Sequence, residues 1–234
     1  MIAHIIQIAG VRNLREALMI SASGATHIGF PLHLDVHRPD ISDEAAAEII
    51  SKLPPTIRPV LITYLAKAIA IYKLSQQIGC NIVQLHGAVS LAELEKLRRL
   101  RLSDSSQALP FEIWKSLVVK AENEQELLQT LHSTAPFVDA FITDTYDPVT
   151  GASGATGKTH DWNITGRIVA QSSRPVIVAG GLHPGNVAEA IRITGAAGVD
   201  AHTGVEDAEG DKNPGLVKEF VSIAKESYRN TLRL

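Results

Sequence analysis

The 234-residue chain carries 22 Lys+Arg against 25 Asp+Glu, a formal net charge of −3, with 45% hydrophobic and 20% charged residues, the balance of an ordinary folded protein. Its charges are interspersed rather than blocked, which leaves no electrostatic footprint for nucleic acid or an anionic membrane surface. The lone cysteine, Cys80, excludes an intrachain disulfide, no Cys/His group has zinc-ligand spacing, and no apolar run reaches about 18 residues, so a cytoplasmic chain with no metal and no membrane partner is expected.

In chain order, short apolar and β-branched runs alternate with segments of helical periodicity. The predicted strands are 4–11 (HIIQIAGV), 27–32 (HIGFPL), 58–65 (RPVLITYL), 81–86 (NIVQLH), 114–121 (WKSLVVKA), 138–143 (VDAFIT), 175–180 (PVIVAG) and 198–203 (GVDAHT). Nearly continuous apolar strands are expected where both faces are covered, as in a parallel sheet under helices. Between them, the helix from Ser42 opens with a serine cap and acidic first-turn residues, and others are predicted from Ser90, from Glu122 and from Pro184, the last ending at a glycine. Eight strand-helix pairings with no obvious linker indicate an α/β protein and favour one (β/α)8 TIM barrel domain spanning 1–234 over an open doubly wound sheet. The polar, proline-punctuated stretch 100–110 reads as a surface loop, inert or used in oligomer contacts.

In such a barrel the chemistry gathers at the C-terminal ends of the strands. After the sixth strand, 151–162 (GASGATGKTHDW) is glycine-rich, and Gly157 allows close backbone approach to a ligand. It is not a nucleotide phosphate loop, because Ala152 stands where the first glycine of GxxxxGK[ST] is required. After the seventh strand, Gly180 and Gly181 lead into a proline-glycine-asparagine turn, and after the eighth come Thr203 and Gly204. Two glycine turns at these places are where barrels of this class hold a phosphate on backbone N–H groups, so the expected partner is a small phosphorylated substrate. Asp144 ends the sixth strand, either a general acid with a raised pKa or a loop cap. His86 either contacts a ligand oxygen or satisfies a buried hydrogen bond, and Arg38 either clamps a carboxylate or stands in solvent.

The segments 83–87 (VQLHG), 154–162 (GATGKTHDW), 178–187 (VAGGLHPGNV) and 198–207 (GVDAHTGVED), ordered and correctly spaced, closely resemble the phosphoribosylanthranilate isomerase family of tryptophan biosynthesis. The resemblance runs over essentially the whole chain and is strongest from about residue 81 onward. It implies an Amadori rearrangement of N-(5-phosphoribosyl)anthranilate to the 1-amino-1-deoxyribulose phosphate, without a cofactor, by a monomer or a homodimer. It further implies that Asp144 protonates the ring oxygen, that Arg38 meets the anthranilate carboxylate, that Gly181, Thr203 and Gly204 hold the phosphate, and that His86 lines the mouth.

The first strand departs from the family, which reads lysine-isoleucine-cysteine-glycine where this chain reads Gln7-Ile8-Ala9-Gly10. The family's cysteine is the general base that takes the C2 proton, and Ala9 cannot accept one. Cys80 begins the fourth strand, at the opposite end of the barrel from His86, and is no substitute. His33 and Asp35 follow the second strand, where the family's serine-proline-arginine has become Val36-His37-Arg38, and His33 is a candidate replacement base. Two other functions stay open: a divergent phosphosugar isomerase, epimerase or lyase, and a non-catalytic phosphometabolite-binding protein.

Overall fold

A computed structural model describes residues 4–34, 41–103, 110–120, 122–145 and 159–231. Eight parallel strands close into a barrel in sequential order, each followed by a helix. The strands are β1 (Ile5–Ala9), β2 (His27–Leu32), β3 (Arg58–Thr63), β4 (Ile82–Leu85), β5 (Glu112–Val119), β6 (Ala140–Thr145), β7 (Val176–Val178) and β8 (Gly198–Ala201). The helices are α1 (Leu14–Ser23), α2 (Asp43–Ser51), α3 (Ala68–Ile78), α4 (Leu91–Ser103), α5 (Glu124–Thr134), α6 (Trp162–Gln171), α7 (Val187–Thr194) and α8 (Pro214–Thr231). The (β/α)8 architecture predicted from the alternation is therefore the one observed.

Strand alternation sorts the buried residues into two layers. Ile6, Ile8, Phe30, Leu61, Val83, Leu85, Phe141 and Val199 face outward and pack under the helices, whereas Ala9, Val60, Ile62, Ile82, Trp114, Ile142 and Ile177 fill the lumen. Each large aliphatic chain buried this way stabilises the fold by about 1.5–3 kcal/mol, so the lumen is a packed core rather than a channel. Its floor is polar: Arg58 meets Glu112 at 2.8 Å, and Glu112 also accepts from the Trp114 indole N–H at 3.2 Å. Closure is made by β1 against β8, in the register Ile5↔Gly198, Gln7↔Asp200 and Ile8↔Ala201. Gly198 is needed there, because a Cβ would lie 2.6 Å from that of Ile5.

Several sequence boundaries move, β6 for example running Ala140–Thr145 rather than 138–143 and α5 starting at Glu124 rather than Glu122, and four shifts have a visible cause. Strand β5 starts at Glu112, two residues before its predicted start, because the floor ion pair draws this polar residue into the ladder. Strand β7 ends at Val178 rather than 180, since Gly180 takes φ 93 and leaves the sheet. Helix α7 begins at Val187, not Pro184: the Asn186 side chain accepts from His183 N–H at 2.8 Å and donates to the Gly181 carbonyl at 3.0 Å, locking a turn instead. Helix α4 runs through Ser103, so the first four residues of the expected 100–110 loop are helical, fastened by one Arg101 guanidinium nitrogen that donates to both Asp139 oxygens at 2.7 and 2.9 Å. Among the described residues, no helix is long and apolar enough to cross a membrane.

Candidate active site

The polar side chains of the lumen climb toward the C-terminal mouth, every second residue along their strands. Gln7 on β1 donates to Gln84 on β4 at 2.9 Å, and the Gln84 amide meets His86 Nε2 at 2.7 Å. His86 Nδ1 lies 3.7 Å from Asp144 Oδ2 at the end of β6. Asp144 Oδ1 accepts the Thr145 N–H at 2.7 Å, and Asp200 on β8 is close enough to repel its charge. Ser116 Oγ, His86 Nδ1 and one Asp200 oxygen are buried without a hydrogen-bond partner. Buried polar atoms are normally paired, and orphans that converge on a mouth are groups left for a ligand.

Burial decides the charge states here. It raises Asp144 to about 7, with the Asp200 charge adding to the rise and the Thr145 N–H opposing it. Asp200 is likewise lifted to about 6 by burial, against the pull of the Gln7 amide and the Lys212 ammonium. His86 is pushed down to about 3 by burial and by the Lys115 charge, so it is a neutral imidazole at pH 7. Its 3.7 Å approach to Asp144 is thus not an ion pair, although the spacing would permit one; the buried imidazole resists the proton such a pair requires. A carboxyl that keeps a substantial protonated fraction near neutrality beside neutral hydrogen-bonding groups is suited to donating a proton.

Two glycine turns meet beside this cluster. Gly180 and Gly181 take φ 93 and 61, which only glycine adopts readily, and a Cβ on Gly180 would overlap the Thr145 hydroxyl. Thr203 and Gly204 form a 3-10 turn after β8, and a Cβ on Gly204 would overlap the Leu182 carbonyl oxygen. Backbone thus packs on backbone there, bringing the two turns into contact. His160 braces them from the side: its Nδ1 lies 3.0 Å from Thr145 Oγ1 and its Nε2 2.7 Å from Thr165 Oγ1 on α6.

The sequence profile of N-(5'phosphoribosyl)anthranilate (PRA) isomerase matches residues 6–223. The chain belongs to the PRA isomerase family. It is 36% identical over 227 residues to N-(5'-phosphoribosyl)anthranilate isomerase 2 of Methanosarcina mazei, with 95% of each chain covered. The solved phosphoribosyl anthranilate isomerase from Thermotoga maritima superposes with a TM-score of 0.79 at 28% identity, covering 96% of this chain and 100% of the other. A solved member in complex with reduced 1-(o-carboxyphenylamino)-1-deoxyribulose 5-phosphate gives 0.77 at 26% identity, with 96% and 100% covered.

Within this PRA isomerase barrel, Asp144, His86, Gly180, Gly181, Thr203 and Gly204 share the C-terminal mouth. Ala9 is 2% exposed at the end of β1, opposite Gly29 of β2. His33 takes φ 54, and its Nε2 lies 2.9 Å from Asp43 Oδ2 at the start of α2, so that nitrogen is engaged at the outer rim. Cys80 precedes β4, is buried, and has its thiol pKa driven up by burial, which keeps it protonated and unreactive. Arg38, Asp35 and Gly157 lie outside the described residues. Sequence reading passed over Gln7, Gln84 and Asp200, yet each is a polar residue inside an apolar strand, two positions before Ala9, His86 and His202 respectively. That period-2 offset was the available signal that they line the lumen.

Proposed function

We propose that the protein catalyses the Amadori rearrangement of N-(5-phosphoribosyl)anthranilate, with Asp144 as general acid. The observation that carries this reading is the buried Asp144 carboxyl, raised to about 7 and facing the mouth beside His86 and the paired glycine turns. Asp144 protonates the ribose ring oxygen, the C1–O bond breaks, and the anthranilate nitrogen lone pair forms the C1=N bond. The phosphate sits on the backbone N–H groups of Gly181, Thr203 and Gly204, a preorganised anion site that requires no competing cation. His86, neutral and hydrogen-bonded to Gln84, orients the sugar oxygens. Arg38 takes the anthranilate carboxylate, Gly157 contributes to substrate binding, and the reaction proceeds in the cytoplasm without a cofactor.

The test is the loss of phosphoribosylanthranilate fluorescence on adding the full chain, with turnover expected. No turnover would overturn the proposal. Ala9 favours one competing reading, a phosphosugar isomerase, epimerase or lyase acting on another substrate. Thermal stabilisation by other sugar phosphates, but not by the anthranilate compound, would select it.

A further inference from the structure

Removal of the C2 proton requires a base at the mouth, and position 9 holds a methyl group. Resting on the isomerase reading, we propose that His202 is the base that takes this proton.

His202 directly follows β8, and the β1–β8 register pairs Gln7 with Asp200 and Ile8 with Ala201. Carried one residue past the ladder, that register brings His202 level with Ala9. Its imidazole lies against the Cα of Gly10, where any Cβ would overlap Nε2, Cδ2 and Cε1. Gly10, at φ 78, therefore leaves the room that the ring occupies over the end of β1. The ring is held from behind: Nε2 lies 3.5 Å from Glu206 Oε1, Glu206 is ion-paired to the wholly buried Lys212 ammonium, and Lys212 also donates to the His202 carbonyl at 3.2 Å. A base oriented by a carboxylate, which also offsets the imidazolium formed, is the arrangement that general-base histidines use. The side chain keeps 23% exposure, so substrate can reach it, and the next residue along the chain, Thr203, belongs to the phosphate grip.

In the step, the C2–H bond breaks and the imidazole takes the proton. The released electron pair forms C1=C2, and the C1=N π pair returns to the anthranilate nitrogen. The imidazolium then protonates C1 while the enol O–H proton passes to the Asp144 carboxylate, so both groups are restored and the ketone forms with no net proton gained or lost.

Four full-length proteins test this in the fluorescence assay: wild type, His202→Gln, His202→Gln with Ala9→Cys, and His33→Ala. Loss of a general base costs about 10²- to 10⁴-fold in rate, and that fall in kcat/KM is expected for His202→Gln, with unchanged affinity for the reduced product analogue. Adding the thiol at position 9 is expected to restore turnover. His202→Gln turning over at the wild-type rate, a loss confined to His33→Ala, loss of analogue binding, or no recovery with the thiol would each overturn the assignment. Turnover by wild type keeps the isomerase reading intact in all those cases; its absence overturns both.

Discussion

At the scale of a single residue, the general-acid role proposed for Asp144 sets function against stability. Below pH 3.8, its ordinary value, the carboxyl is protonated whether the chain is folded or not, and its burial costs no ionisation energy. Between 3.8 and about 7 the unfolded chain releases the proton while the folded chain holds it, so stability falls as pH rises through this window and levels off above it. The gap corresponds to a penalty of about 2–4 kcal/mol above neutrality, allowing for local relaxation. Asp144→Asn keeps the acceptor for the Thr145 N–H and removes the ionisation. It is expected to raise the thermal midpoint, with a gain that grows from pH 4 to 7 and then stays constant, while lowering kcat/KM by about 10²- to 10⁴-fold. In the wild type, activity should decline as pH rises through about 7, because the acid must carry its proton. A midpoint difference that does not change with pH would show that the folded carboxyl is not raised.

At the scale of elements, the strands and the two glycine turns were readable because local chemistry fixes them. Continuous apolar runs leave a parallel strand no exposed face, and Gly180 and Gly181 adopt backbone angles that other residues resist. Four of the displaced boundaries have causes outside the local apolar pattern, a partner distant in sequence or a turn: Arg58 for Glu112, Asp139 for Arg101, the Asn186 staple for the start of α7, and the left-handed Gly180 for the end of β7. The site divides the same way. Asp144, His86 and the turn residues announce themselves by ending strands, whereas the proximity of His202 to Gly10 depends on barrel closure and is invisible in either segment alone. Gly204 gives the sharpest element-scale prediction. A methyl group there would meet the Leu182 carbonyl and the His183 Cβ rather than the far end of a flexible side chain, so the 3-10 turn must move off the loop after β7. Overpacking of this kind costs about 1–3 kcal/mol. Gly204→Ala is expected to fold, to retain the Asp144-dependent pH profile in kcat, and to raise KM for the phosphorylated substrate by at least about tenfold, equivalent to about 1.4 kcal/mol of lost grip. An unchanged KM would remove Gly204 from the phosphate site.

At the scale of the whole molecule, the barrel is closed twice, once by the β1–β8 ladder and once by the loops above it. Buried Glu16 at the start of α1 makes the second closure: Oε2 accepts the Arg12 N–H at 2.8 Å and Oε1 accepts the Lys212 N–H at 3.1 Å, across 196 residues of sequence. The same two loops are also joined by the Arg12–Asp211 ion pair at 3.0 Å, but its side chains are 38% and 58% exposed. These two links should differ greatly in weight. An exposed pair contributes about 0–1 kcal/mol, whereas removing the Glu16 carboxylate strands two backbone donors at about 1–3 kcal/mol each. Asp211→Ala is therefore expected to leave the denaturant midpoint nearly unchanged, and Glu16→Ala to lower stability by about 2–4 kcal/mol. Lys212 also holds Glu206, and Glu206 faces His202, so freeing the Lys212 backbone loosens the loop that carries the proposed base. Glu16→Ala should consequently lower kcat at a temperature where the variant remains fully folded, and Asp211→Ala should not. Equal effects of the two substitutions on stability, or a full kcat in folded Glu16→Ala, would show that the loops are held by the ladder beneath them and that the mouth does not depend on this carboxylate.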